Sequence, residues 1–287
     1  MKNKKLLYNS QIITNKVVKN FRKLLITVYN NPDFVAELGW VITNTTNLKV
    51  LLIDSDALES SLAQTLGMKN TYNTAVNSPL ITQSSFNIAM DYISKETFNK
   101  KVFESICVQL QSSLYVLTGN DNLENYEYYP NNAFVKLLNG SLEIFDIVLV
   151  NTNSNIYDEF LIHSFYHSDI LLFPIEAYLN RLHTINSYLA FLHNKQNISI
   201  EKGKFISFNY RKEIHLPDAY MKEITNNNFI GRIDYDEKRL LYKNYIDKCY
   251  AKTMPYHIKN QYNSLLYQFN ITQKKSFLET VKYKLSK

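Results

Sequence analysis

Six short runs of Val, Ile, Leu and Phe recur along the chain: Leu24 to Val28, Val50 to Ile53, Leu114 to Leu117, Ile147 to Val150, Ile170 to Ile175 and Phe205 to Phe208. Each is apolar on both faces, as strands covered on two sides must be. Most intervening segments have helical periodicity instead. Phe98, Val102, Phe103, Ile106 and Leu110 make one such face, and Ile185, Tyr188, Leu189 and Leu192 another. This β-α-β-α alternation predicts an α/β fold: a doubly wound, mostly parallel sheet with flanking helices and right-handed crossovers. Residues 1–20 read as a polar lead and 21–245 as the α/β domain. Residues 246–287 read as a helical C-terminal tail laid on the same domain. The stretch from Asn70 to Lys95, rich in Ser, Thr and Asn, predicts an excursion over the edge or top of the sheet.

With 287 residues, 45% of them hydrophobic, the chain can bury a sizeable core. A net charge of +6 allows anionic partners, but its 32 basic and 26 acidic side chains are interspersed, which leaves nucleic acid and membrane surfaces as weak options. Cys107 and Cys249 lie far apart in helix-like stretches and read as reduced, structural thiols. The basic start, Met1 to Ser10, is followed by Gln11, Asn15, Lys16 and Lys19, which break up any signal-peptide core. No run reaches the roughly 18–20 apolar residues of a spanning helix. The expected location is cytoplasmic, with peripheral contact at the inner face of the membrane as an extension.

The joint after the first apolar run, Tyr29-Asn30-Asn31-Pro32-Asp33, contains no glycine. A phosphate cradle needs successive backbone N–H groups converging on one anion, and glycine permits both the dihedrals and the close approach. The residues present instead predict a helix start. Asn31 caps, Pro32 occupies the first helical position and Asp33 meets the positive end of the dipole. A carboxylate in that turn competes with any incoming anion. Asp54 and Asp56 end the second run, where strand termini open onto the surface and Asp serves either to cap a helix or to hold a cation. His163 and His167 share a helix face, but no third ligand accompanies them.

Four segments carry a family resemblance. Lys49 to Asp56, followed by Ser60-Ser61-Leu62 and Leu66-Gly67, looks like a strand ending in D-x-D that leads to a small-residue helix. Phe145 to Thr152, Ser168 to Glu176 and Gly231 to Asp236 follow in order. Together they resemble the ParA/MinD family of P-loop ATPases, and within it the pilus-assembly proteins of the CpaE/TadZ type. The resemblance implies a nucleotide site with Asp54 and Asp56 beside it, and a dimer formed face to face. It breaks at the chemistry. The loop is shortened, Pro32 or Asp33 falls where a magnesium-binding hydroxyl belongs, Asn151 replaces the family's switch aspartate, and Asn153 replaces the proline after it.

The resulting expectation is a non-hydrolysing scaffold or localisation protein of a pilus, secretion or conjugation apparatus. It has no catalytic residues and no cofactor, and Asp54 and Asp56 are vestigial. The alternatives are an ATPase with an atypical ATP/Mg site, or a DNA partition or nucleoid-binding protein. Expected partners are proteins of a membrane-associated assembly and a second copy of the chain. Asn30, Asn31, Asp33, Asn151 and Asn153 are the candidate contact residues, within loops running from Asn30 to Asp33 and from Asn151 to Tyr157. The basic C-terminal segment places Phe277, Leu278, Val281 and Leu285 within about 100° of one another on a helix, resembling the membrane-targeting tail of MinD-type proteins.

Overall fold

The computed structural model describes residues 22–68, 84–120, 129–130, 132–245 and 247–272. Its strands are β1 (Leu24–Tyr29), β2 (Val50–Asp54), β3 (Val108–Gln111), β4 (Leu114–Leu117), β5 (Ile147–Thr152), β6 (Ile170–Ile175), β7 (Gly203–Tyr210) and β8 (Phe229–Asp234). Its helices up to β7 are α1 (Pro32–Thr45), α2 (Leu62–Thr65), α3 (Ser85–Ser94), α4 (Lys100–Ile106), α5 (Ala133–Ile144), α6 (Glu159–His167) and α7 (Leu179–Gln196). After β7 come α8 (Asp218–Ile224), α9 (Glu237–Tyr242), α10 (Tyr250–Thr253) and α11 (Tyr256–Gln268).

The strands form one sheet in the order β3-β4-β2-β5-β1-β6-β7-β8, parallel except for the β3/β4 pair. The central strands β1, β2 and β5 are buried along almost their whole length, because helices cover both faces. One face buries Ile26, Leu52 and Leu149 against Phe34 and Leu38 of α1 and against Ile258, Tyr262, Leu265 and Leu266 of α11. The opposite face buries Leu25, Leu51 and Val148; there the two core clusters hold residues of α3, α4 and α5, and of α6, α7 and α8. The predicted α/β architecture and all six strands are present, as is a C-terminal helix.

Three local expectations fail. The helical face drawn through Phe98 and Leu110 is interrupted: α4 spans only Lys100–Ile106, and Leu110 belongs to β3. Four residues of antiparallel edge strand are too few to show a period of two against a preceding helix. Within the predicted excursion, Ser85–Ser94 is α3, which buries Phe86, Ala89, Met90 and Ile93. Those four follow an i, i+3, i+4, i+7 pattern, a helical signal overlooked among the polar residues. Finally, β8 was not among the expected strands. Gly231, at φ 147, and Arg232 interrupt its apolar pattern.

Candidate functional site

The parallel strands bring the loops after β1, β2, β5 and β6 together at their C-terminal edge, the position at which open α/β sheets place ligands. The β1–α1 joint lies at the centre. Asn30 takes φ 41, a left-handed conformation that Asn tolerates without glycine. Its N–H donates to Thr152 O at 3.0 Å. Asn31 caps α1: Oδ1 accepts from Phe34 N at 2.9 Å, and Nδ2 donates to Pro174 O at 3.2 Å. Asp33 is buried in the first turn and pairs with Lys243 Nζ at 2.6 Å.

A chain of hydrogen bonds runs from this joint into β5 and β2. Asn31 N–H donates to Asn151 Oδ1 at 3.1 Å, and Asn151 Nδ2 donates to Asp54 Oδ1 at 2.9 Å. The other Asp54 oxygen accepts from Ser60 Oγ at 3.0 Å and from Leu62 N at 2.9 Å. The donors to the Asp54 carboxylate named here are all neutral, and Asp56 acts on it as a like charge. Burial pushes its pKa up, and the donated bonds from Asn151 and Leu62 oppose that rise. Asp56 closes a local turn by accepting from Leu58 N and Glu59 N, both at 3.0 Å, and burial raises its pKa too.

The predicted site residues thus converge on one edge, with unequal access. Asp33, Asn151 and Asn153 are buried, so of the five contact candidates only Asn30 and Asn31 present side chain to solvent. Asn151 faces inward because its amide joins Asn31 N–H to Asp54; Asn153 Oδ1 accepts from Asn155 N at 2.9 Å, while its buried Nδ2 has no hydrogen-bond partner among the described residues. Phe277, Leu278, Val281 and Leu285 lie outside the described residues. His163 and His167 stack on α6 with 6.2 Å between ring centroids. Among the described residues no cluster of three or more His, Cys, Asp or Glu side chains suits a metal ion, and no helix is long and apolar enough to cross a membrane.

Gly119 shapes this edge from the β4 side. A β-carbon there would meet Ser60 Oγ and lie 3.0 Å from the Asp54 carbonyl oxygen. Gly119→Ala is expected to push Ser60 off the Asp54 carboxylate and cost about 1–3 kcal/mol, read from urea unfolding. An unchanged midpoint would show that the loop gives way freely.

Sequence reasoning missed Glu37, Lys243, Arg239 and Tyr262. Glu37 and Arg239 are 1% exposed, yet Arg239 donates to both Glu37 carboxylate oxygens, Nε at 2.6 Å and Nη2 at 2.9 Å. Tyr262 OH donates to the same carboxylate at 3.1 Å. The available signal was a glutamate among Phe34, Leu38 and Val41 on the apolar face of α1.

A polyphosphate with magnesium does not fit the joint described here. The loop offers no glycine cradle and no lysine of its own, Asp33 sets a carboxylate in the first helical turn, and both Asp54 oxygens are engaged by protein donors.

The strand order and the single antiparallel edge pair define a doubly wound α/β protein with the fold of the ParA/MinD P-loop ATPases. A ParA family ATPase from Chlorobium tepidum TLS superposes with a TM-score of 0.69 at 14% identity, over 85% of this chain and 99% of that one. A chain of the MinC:MinD cell division protein complex of Aquifex aeolicus gives 0.62 at 15% identity, over 88% of this chain and 98% of that one. The Pyrococcus furiosus cell division ATPase MinD gives 0.63 at 14%, over 88% and 99%. No protein-family model matches the sequence, and no curated protein matches it. At these identities the likeness establishes the fold.

Proposed function

We propose that this chain is a non-hydrolysing ParA/MinD-like protein, a scaffold or localisation factor in a pilus, secretion or conjugation apparatus. The observation that carries the loss of hydrolysis is the closed network at the strand termini. Where an ATPase of this fold needs a cradle and a free carboxylate, the chain has an Asn31 helix cap, an Asp33–Lys243 ion pair and an Asp54 whose two oxygens accept from Asn151, Ser60 and Leu62. Phosphoryl transfer depends on positioning and charge neutralisation. An amide at position 151 supplies neither a proton acceptor nor a charge for magnesium-bound water. The CpaE/TadZ-like segments motivate the apparatus. The Aquifex neighbour is named as a complex of MinC with MinD, which supports a role in protein assembly.

One observation favours the alternative of an atypical nucleotide site. An open cleft of about 570 Å³ flanks the α1 N-terminus, lined among others by Asn30, Asn31, Arg181, Asn209 and Lys243. Titration calorimetry with ATP and ADP in the presence of Mg²⁺ separates the two readings. No saturable heat is expected for either nucleotide, and micromolar affinity would overturn the proposal.

A further inference from the structure

A groove of about 460 Å³ lies between the outer face of α5 and the corner where α3 gives way to α4. Lys136, Gly140 and Ile144, four apart on one helix face, form one wall, and Phe98 with Phe103 forms the other. Phe103 is buried, but Phe98 and Ile144 are only half-covered by the core they pack against. Gly140 keeps the groove open, because a β-carbon there would stand 2.7 Å from Phe98 Cε1.

The groove lies where the chain enters β1. Lys23 shares the face of Leu25, and its Nζ donates to the last-turn carbonyls of α5, Leu142 O and Glu143 O, both at 2.7 Å. Glu143 itself lines the groove. The segment that precedes Arg22 in sequence therefore joins the fold within one lysine side chain of the groove's end. That segment holds Ile12, Ile13, Val17, Val18 and Phe21, of which Ile13, Val17 and Phe21 recur every four residues, the spacing of one helical face. The wall from Lys136 to Ile144 is about 12 Å long, and Ile12 to Phe21 would reach about 15 Å even as a helix. A tethered segment meets its site at roughly millimolar effective concentration, so modest apolar cover suffices. The charges on the rim, Glu96 and Glu143 against Lys100 and Lys136, balance and select no strongly charged partner from outside.

We propose that residues 12–21 fold back into the groove between α5 and the α3–α4 corner, with Ile13, Val17 and Phe21 against Phe98 and Ile144. The groove is at the end of the sheet where the parallel strands begin, away from the strand-terminus network, so nucleotide calorimetry does not bear on it. Limited trypsin digestion of the full chain reads the contact through cleavage after Lys16 and Lys19. Ile13→Ser/Val17→Ser, which weakens the segment, and Gly140→Leu, which fills the groove, should each speed that cleavage about fivefold. Near-ultraviolet circular dichroism checks that each variant is folded. A second measurement leaves the groove floor intact. Lys16→Cys/Asn139→Cys, treated with diamide, should form an intramolecular disulfide several times faster than Lys16→Cys/Asn194→Cys, whose second site is exposed near the end of α7. Mass spectrometry identifies the linkage, and a misfolded Gly140→Leu variant leaves this comparison to decide. Unchanged cleavage in folded Gly140→Leu, or equal rates for the two cysteine pairs, would overturn the proposal. So would a disulfide that joins two chains, which would assign the groove to a second copy.

Discussion

Arg239→Ala is expected to lower the melting temperature by about 10 °C, the equivalent of roughly 3–5 kcal/mol in a domain of this size. The side chain is enclosed between the rings of Phe208 and Tyr250, whose centroids lie 4.7 and 4.8 Å from its guanidinium carbon. Its removal strands Glu37 in the core with the Tyr262 hydroxyl as its one remaining side-chain partner among the described residues. The partners' ionisation tendencies pull in opposite directions. Burial pushes the Glu37 carboxyl up to about 7 against the pull of Arg239. Burial also works against the charged guanidinium, but the Glu37 carboxylate outweighs it and raises Arg239 above its ordinary range. We take the pair as charged at neutral pH, because two guanidinium N–H groups meet two carboxylate oxygens at 2.6 and 2.9 Å. The double variant Glu37→Leu/Arg239→Met should regain much of the loss, since it leaves no buried charge uncompensated. Calorimetric melting of the three proteins decides it. A fall of under about 2 °C in Arg239→Ala would show that the pair contributes little.

The second large effect is expected from Asn151→Asp, which installs the aspartate that the family resemblance places there. The new carboxylate would sit about 3 Å from Asp54 Oδ1, where Asn151 now donates, with no cation bonded to either. Two like charges at that distance cannot both ionise, so a loss of about 2–4 kcal/mol at pH 7 is expected. The direction with pH follows from linkage. The folded pair retains a proton at pH values where the unfolded chain's carboxyls, near 3.9, have released theirs, so the folded state binds more protons. Stability of the variant should therefore rise as pH falls from 7 towards 5. Asn151→Ala is the control: it loses the donor to Asp54 and also the acceptor for Asn31 N–H, but with a much flatter profile. A variant as stable as the parent at pH 7 would refute the Asn151–Asp54 contact.

These two predictions rest on residues that differed in how much of their role could be read from the sequence. Asn31, Pro32 and Asp33 announced a helix start, and Asn31 caps α1 through Phe34 N. Capping is decided within four residues, so local identity suffices. Asn151 and Asp54 were recognisable as unusual or familiar at their positions, yet their mutual bond spans 97 residues of sequence. Nothing in either segment alone shows that one amide satisfies both Asn31 N–H and a buried carboxylate. Glu37 and Arg239 are 202 residues apart; the apolar neighbours of Glu37 mark it as unusual, but nothing near it names Arg239 as its partner.

By itself, the sequence determined the six two-sided strands, the alternation with helices and hence the doubly wound sheet. Apolarity on both faces of a short segment has few other solutions than burial in a parallel sheet. Tertiary structure decided what composition left degenerate: that Val108–Gln111 leaves the helical pattern to pair with β4, and that Ser85–Ser94 packs as α3 on one face of the sheet. It also decided that Arg239 lies inside α9 while Leu240 and Leu241 lie outside. A charge enters a core only when its partners are already assembled there, and those partners come from α1 and β7, brought to α9 by the sheet.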